Sequence, residues 1–295
     1  LEGMGEFFYV NDIDSTSPAF VRIVCTAKPK EFSFPEFCSS QETYLIPLGG
    51  GKDSMVTAEL LKKFVPENKR VLFSVNPTRA EDALAQKMGI TERIIVERVL
   101  DAHLFDLNKK GFLNGHTPFS SVLAFLSTIT GFLAGFSQVA ISQERSSNEG
   151  NVVFRGREVN HQYSKSFDFE KRFREYVQEF LCQGVNFFSM LRPLYEIQIA
   201  KIFSTFPEYF SVFRSCNRGQ KTNSWCGICP KCLFTFMALF PFVEENILVD
   251  KIFGKNLFED SSLEELLSTF VGKDVAKPFE CIGTREESIL LLSLA

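Results

Sequence analysis

Short apolar runs alternate with longer stretches whose hydrophobic positions recur every three or four residues, a pattern of parallel strands and crossover helices. Tyr44–Leu48 is the first buried run and stops at three glycines; Met55, Val56, Leu60 and Phe64 then mark one face of a helix over Asp53–Phe64. Strand Val71–Val75, helix Ala80–Met88 and strand Arg93–Val99 follow, with Gly89 placed as a left-handed cap. A long apolar helix over Pro118–Phe136 leads to strand Gln138–Ser142. After a polar loop from Gln143 to Lys165 come helix Asp168–Leu181, strand Asn186–Leu191, helix Leu194–Phe206 and a core helix from Pro230. The fold class is therefore α/β, with a five-stranded parallel Rossmann-like sheet. Residues 1–42, with β-like runs at Phe7–Val10 and Phe20–Cys25, read as a small β-rich extension; 43–242 as the main domain; 243–295 as a helical, acidic tail.

Ligands of open parallel sheets bind beyond the carboxyl ends of the strands. The polar segments Gly49–Ser54, Asn76–Arg79, Asn114–Ser120, Ser142–Asn151 and Arg192 all fall there.

In the first of these segments, Gly49, Gly50, Gly51, Lys52, Asp53 and Ser54 join a buried strand to a helix start. Glycines let backbone N–H groups approach an anion, and the helix terminus adds partial positive charge. Asp53 between Lys52 and Ser54 breaks the Walker pattern, and the dinucleotide glycine spacing is absent. A tight turn without ligand is the plain alternative. The segment resembles the PP-loop signature of ATP pyrophosphatases, with Gly49 in the serine position. That resemblance implies pyrophosphate of ATP on Gly49–Ser54 and Mg²⁺ on Asp53.

Of eight cysteines, four fall within seventeen residues. Cys216, Cys226, Cys229 and Cys232 are spaced to close a tetrahedral thiolate shell, which suits a structural Zn²⁺; an iron–sulfur cluster is the alternative. Cys25, Cys38, Cys182 and Cys281 read as ordinary thiols, although the segment around Cys281 is unusual.

Composition narrows the class. The net charge of −4 gives no global basic field for nucleic acid. No apolar run reaches the roughly 20 residues needed to span a bilayer. The start lacks the order of a secretory signal, and reduced cysteines suit a metal in the cytoplasm. Leu1-Glu2-Gly3 ahead of Met4 reads as an appended stretch. The 33 phenylalanines against one tryptophan indicate bulky core packing and no function.

The stretches Leu191–Leu194 and Ile197–Ile202, with the cysteine cluster, are similar to 7-cyano-7-deazaguanine synthase. A closer resemblance rests on Gly49–Ser54, Asn114–Phe119, Gly156–Ser166, Phe213–Asn217 and Lys277–Thr284, covering residues 43 to 285. These resemble the UDP-N-acetylmuramoyl-L-alanyl-L-glutamate epimerase family, whose members carry more chain at the N-terminus. The resemblance implies inversion of the terminal L-Glu of a UDP-muramoyl dipeptide through an acyl-adenylate, using ATP and Mg²⁺ and releasing AMP and pyrophosphate. Another PP-loop enzyme, an amide or nitrile synthase or a tRNA thiolase, is the alternative, and a non-catalytic nucleotide or zinc-binding protein is a third reading.

Acid–base candidates are His161, His116, Lys165 and Glu144, with Tyr163 and Glu149 as rivals; both glutamates are also candidates for Mg²⁺. His103 reads as structural or solvated. Hydrogen-bonded loop residues are the plain alternative for His161 and the glutamates. Arg192, Arg214 and Arg157 suit anionic groups, with surface ion pairs as the alternative. Asn148 and Asn160 are candidate dipeptide ligands.

Overall fold

The computed structural model describes residues 1–26, 37, 42–90, 92–219, 222–272 and 275–295. In chain order the main elements are α1 Gly5–Val10, β1 Tyr44–Pro47, α2 Lys52–Lys62, β2 Arg70–Val75, α3 Arg79–Met88, β3 Arg93–Val96, α4 Ala102–Lys109, α5 Phe119–Ala134 and β4 Gln138–Ile141. Then come β5 Val152–Phe154, β6 Arg157–Val159, α6 Phe167–Tyr176, β7 Asn186–Ser189, α7 Glu196–Ser204, α8 Pro230–Leu239, α9 Glu245–Ile247, α10 Glu264–Val271 and α11 Arg285–Leu294.

All five predicted strands form one parallel sheet in the order β3-β2-β1-β4-β7. Alternation along each strand feeds two cores. Ile46, Leu72 and Ala140 face α2, α7 and α8; Leu45, Phe73, Val139, Ile141 and Phe187 face α5 and α6. Both faces are thus covered, which is why the strands read as unbroken apolar runs. The phenylalanines do fill the core: Phe203, Phe213 and Phe236 are fully buried. Gly89 adopts the expected left-handed conformation at φ 67°, and Gly135 ends α5 in the same way at φ 82°.

Several expectations change. The run Phe7–Val10 is helical and pairs with no strand; the helix buries Phe8 against Phe20 and sets Tyr9 against Phe154 and Phe279. Phe20–Cys25 forms no strand, so the N-terminal segment is not β-rich among the described residues. Conversely, the polar loop 143–165 contains a hairpin, β5–β6, turned at Arg155 and Gly156, whose φ values of 49° and 77° suit the primed turns of tight hairpins. The strand predicted as Arg93–Val99 ends at Val96. Beyond Tyr176, α6 continues as a wider turn over Val177–Leu181. The expectation for Cys38 lies outside the described residues.

Candidate active site

The order β3-β2-β1-β4-β7 reverses direction between β1 and β4, and a crevice opens at such a switch point. A cavity of about 180 Å³ occupies it, walled by Leu48, Leu123, Ala124, Ile141 and Phe187 and edged by Gly49, Asp53, Ser54, Gln143 and Lys165. A larger hollow of about 470 Å³ lies beside β7 and α6, but it combines buried apolar residues such as Val177 and Val185 with Lys171, Arg174 and Glu175 and none of the acid–base candidates. The chemistry therefore sits at the switch point.

The glycine loop makes the turn from β1 into α2. Gly50 has φ 76°, a conformation strained for any side chain. A Cβ on Gly51 would lie 2.9 Å from the Ser215 hydroxyl. The Arg214 N–H donates to the Gly50 carbonyl at 2.8 Å. Within the loop, the Gly49 N–H donates to Ser54 Oγ, which in turn donates to the Gly51 carbonyl, each at 3.2 Å. The first N–H groups of α2 lack intrahelical partners by construction of a helix and face the same end of the sheet.

Lys52 is buried, with its amine 2.5 Å from Asp53 and in contact with Glu196. Burial opposes its charge, but the two carboxylates outweigh that and raise its pKa. Asp53, Glu144 and Glu196 bring carboxylate oxygens within 4.8 Å of one another. Burial raises the carboxyls of both Glu144 and Glu196, the latter to about 8 against the opposing pull of Lys52. Three convergent carboxylates are hard oxygen donors of the kind Mg²⁺ takes. Glu196 escaped the sequence reading, since it starts α7, far along the chain from the loop.

Beside this group lies a second cluster. Lys165 lies near Cys281, Glu144 and Asp53, whose negative charge outweighs its burial and raises its pKa. His161 also lies near Cys281, and its Nδ1 contacts Glu6 from α1. Burial pulls the imidazole down, but the sulfur and the carboxylate outweigh it and raise it to about 9. His116 packs against His161 with ring centres 4.4 Å apart and planes tilted by 46°, and burial with the neighbouring imidazole lowers its pKa. Cys281 is thus no ordinary thiol: burial pushes it up, yet Lys165, Lys231 and His161 hold it well below the usual thiol range. Its signal in the sequence was only the odd segment around it.

Other predicted site residues are used structurally. Arg192 spends its guanidinium inside the protein, on Glu170 at 2.7 Å, on the carbonyls of Glu144 and Lys165, and on Ser147, Gln143 and Ser189. Arg214 donates to the carbonyls of Ser211, Phe213 and Asn223. Both guanidinium groups thus have acceptors within the chain, part-buried for Arg192 and reaching the surface for Arg214. Asn160 bridges the Ser147 carbonyl and the Gln162 N–H. Asn148 joins the Arg145 carbonyl to the Phe167 N–H. Glu149 pairs with Lys277 at 3.0 Å and accepts from the Arg285 N–H, away from the carboxylate trio. Tyr163 donates to Asp168, Arg157 reaches the Thr16 carbonyl, and His103 is exposed beside Asp101, as a solvated residue should be.

The four predicted cysteine ligands converge. Sulfur–sulfur distances of 3.8 Å for Cys216–Cys229, 3.7 Å for Cys226–Cys232 and 3.5 Å for Cys229–Cys232 come close to the edge of about 3.8 Å that a tetrahedron with 2.3 Å Zn–S bonds requires. Pro230 opens α8, so Cys229 caps that helix and Cys232 lies in its first turn, where thiolates are favoured. The Gly219 N–H donates to Cys216 Sγ at 3.2 Å. Four sulfurs leave no open position for a substrate, and their donor chemistry suits a structural metal.

Comparison with known proteins places this geometry. Residues 1–190 match the MurL N-terminal domain, and residues 212–295 match the MurL C-terminal domain. The first match begins at residue 1. The chain is 34% identical over 294 residues to the UDP-N-acetyl-alpha-D-muramoyl-L-alanyl-L-glutamate epimerase of Xanthomonas oryzae pv. oryzae, covering 98% of this chain and 63% of that protein. It is 35% identical over 297 residues to the enzyme of that name from a Micromonospora species, covering 99% and 65%. With the enzyme of that name from Salinispora tropica it shares 37% identity over 254 residues, covering 85% and 55%. The chain therefore spans a little under two thirds of the length of the first two relatives. No helix among the described residues is long and apolar enough to cross a membrane. On the match over residues 1–190, and on the second over 212–295, the chain belongs to the MurL family.

Proposed function

We propose that the chain is an ATP-dependent epimerase of the PP-loop ATP pyrophosphatase type. It inverts the terminal L-Glu of UDP-MurNAc-L-Ala-L-Glu to D-Glu and releases AMP and pyrophosphate. The names of the relatives support the substrate. The observation that carries the chemistry is the meeting, at one strand-end crevice, of a glycine turn at a helix start with a proton-handling cluster. The cavity walls suit an adenine, and the N–H groups of residues 50–54 suit the pyrophosphate.

The physical reason for spending ATP is electrostatic. Removing an α-proton beside an ionised carboxylate would place a second negative charge on one small group. Attack of that carboxylate on the α-phosphorus forms the mixed anhydride, neutralises the group and expels pyrophosphate. Loss of the α-proton then gives an enolate. Protonation on the other face and hydrolysis of the anhydride complete the inversion. Lys165 and protonated His161 stabilise developing negative charge, and Glu144 holds Lys165 in place. His116 supports His161 from behind. Mg²⁺, held by Asp53 with Glu144 and Glu196, would supply charge neutralisation on the phosphates. A zinc on the four cysteines would be structural. The domain reading follows: residues 43–242 carry the nucleotide machinery, and 1–42 and 243–295 complete the proton-handling side.

Incubation with ATP, Mg²⁺ and UDP-MurNAc-L-Ala-L-Glu should give AMP, pyrophosphate and the D-Glu product in equal amounts, read by mass spectrometry and chiral amino-acid analysis. ADP in place of AMP, or AMP without D-Glu, would overturn this reading.

A further inference from the structure

A third group of metal-type donors lies apart from the four cysteines and the carboxylate trio. Glu6, His116 and His161 each place one ligand atom within 4.8 Å of the others. They come from α1, from the segment ahead of α5 and from the segment after the β5–β6 hairpin, so only the fold assembles them. The backbone around them is tied down. Gly115 lets its segment close on α1, where a Cβ would lie 3.1 Å from the Phe7 ring. Asn11, at the end of α1, donates to the Phe7 carbonyl at 2.8 Å and to the Asn114 carbonyl at 3.2 Å, joining helix and segment. The His161 N–H donates to Asn151 Oδ1 at 2.8 Å, which fixes the chain where it leaves the hairpin.

The donor atoms converge on one point. His161 Nδ1 contacts Glu6 Oε2, and His116 Nδ1 stands 3.8 Å from the same oxygen. Two donors bonded at about 2.1 Å to a tetrahedral ion lie about 3.4 Å apart, so the second spacing is close to what an ion requires. An ion pair between Glu6 and His161 would explain two of the three residues and leave out His116. Among the described residues, His116 Nε2 is buried with no hydrogen-bond partner, and Nδ1 lies beyond hydrogen-bond reach of Glu6. Buried polar groups are ordinarily satisfied, and coordination would supply the partner that the protein does not.

We propose that Glu6, His116 and His161 form a further metal site, for a divalent transition ion such as Zn²⁺ or Co²⁺. Two imidazoles and one carboxylate suit such ions better than Mg²⁺ or Ca²⁺, which take oxygen donors. Three protein ligands leave a position open, unlike four sulfurs, so the ion can also hold water or a substrate oxygen. Loading exchanges the direct Glu6–His161 contact for a bond from each to the ion, and both rings bind as neutral imidazoles. The ion then carries the positive charge that protonated His161 carries in the ion-free chain. The site stands independently of the adenylating reading, since loading makes no use of ATP.

Two measurements test this on the full chain, with zinc on its cysteines and Mg²⁺ in excess. Equilibrium dialysis against Co²⁺, followed by elemental analysis, should find one equivalent of cobalt beside one of zinc. Glu6→Gln and His116→Ala should weaken cobalt binding by about tenfold or more. Zinc should stay at one equivalent in both, which shows that they fold. Absence of bound cobalt in the parent, or parent-like affinity in both folded variants, overturns the proposal. The second measurement needs no variant: modification of histidines by diethyl pyrocarbonate, followed by peptide mass spectrometry. Cobalt well above its dissociation constant should slow modification of His116 and His161 by about tenfold or more, because only the ion-free fraction reacts. Exposed His103 is the internal reference and should react at an unchanged rate. Rates at His116 and His161 that cobalt leaves unaltered overturn the proposal, whatever the variants do.

Discussion

Replacing Arg192 by leucine tests whether this residue braces the fold or binds a ligand. Glu170 is 4% exposed at its side chain and Arg192 13%, so the pair is sealed from water. Arg192→Leu would leave the Glu170 carboxylate with only the Ser189 N–H at 3.1 Å and hydroxyl at 2.6 Å. It would also strip a donor from the Glu144 and Lys165 carbonyls. Breaking a buried pair by removing one partner costs about 3–5 kcal/mol. For a chain of this size that corresponds to a fall in melting temperature of about 10 °C, at roughly 2–4 °C per kcal/mol. Since net stability is about 5–15 kcal/mol, the variant should still fold at room temperature. Thermal unfolding by circular dichroism measures the fall, and Glu170→Leu in the same chain should recover part of it, because the stranded charge is gone. A melting temperature within about 2 °C of the parent, together with a tenfold rise in KM for the dipeptide, would refute the bracing argument and return Arg192 to the substrate.

Three further outcomes follow from the geometry. Cys229→Ser should drop bound zinc from one equivalent to near none by elemental analysis and lower the melting temperature, since structural zinc contributes folding energy directly. Gly50→Ala should cost about 1 kcal/mol or more, because φ 76° penalises any Cβ, and should weaken ATP binding measured by calorimetry. The third concerns pH. His161 has a folded pKa raised to about 9 against about 6.5 unfolded, so its stabilising contribution is full below about 6.5 and is lost as pH rises through 9. The deficit in melting temperature of His161→Gln relative to the parent should therefore be largest at pH 6.5 and shrink by pH 9.5; a constant or growing deficit contradicts the ion-pair account.

What could be read in the sequence was what local pattern encodes. Five strands, the helices between them, the glycine turn and the four-cysteine set depend on period or close spacing, and these come out with ends shifted by a few residues. The carboxyl-end clustering of the loops followed from parallel topology alone. Residues acting across the fold were hidden. Glu6 meets His161 across 155 positions, and nothing in Gly5-Glu6-Phe7-Phe8 announces it; the aromatic run imitated a strand because β propensity is mostly a preference for half-buried surfaces. Arg192 stood where a ligand residue would stand, but its partner Glu170 lies on a helix whose packing only tertiary structure reveals. Arg155-Gly156 was a readable hairpin signal, overlooked because the surrounding segment is polar.

The four-cysteine segment abuts the glycine turn. Arg214, two residues before Cys216, holds the Gly50 carbonyl, and Ser215 shields Gly51. Glycine turn and cysteine segment therefore meet in the fold: a fragment ending before residue 214 would keep every residue of the turn and lose its outer wall. The chain thus offers no clean cut between the glycine turn and the four-cysteine segment.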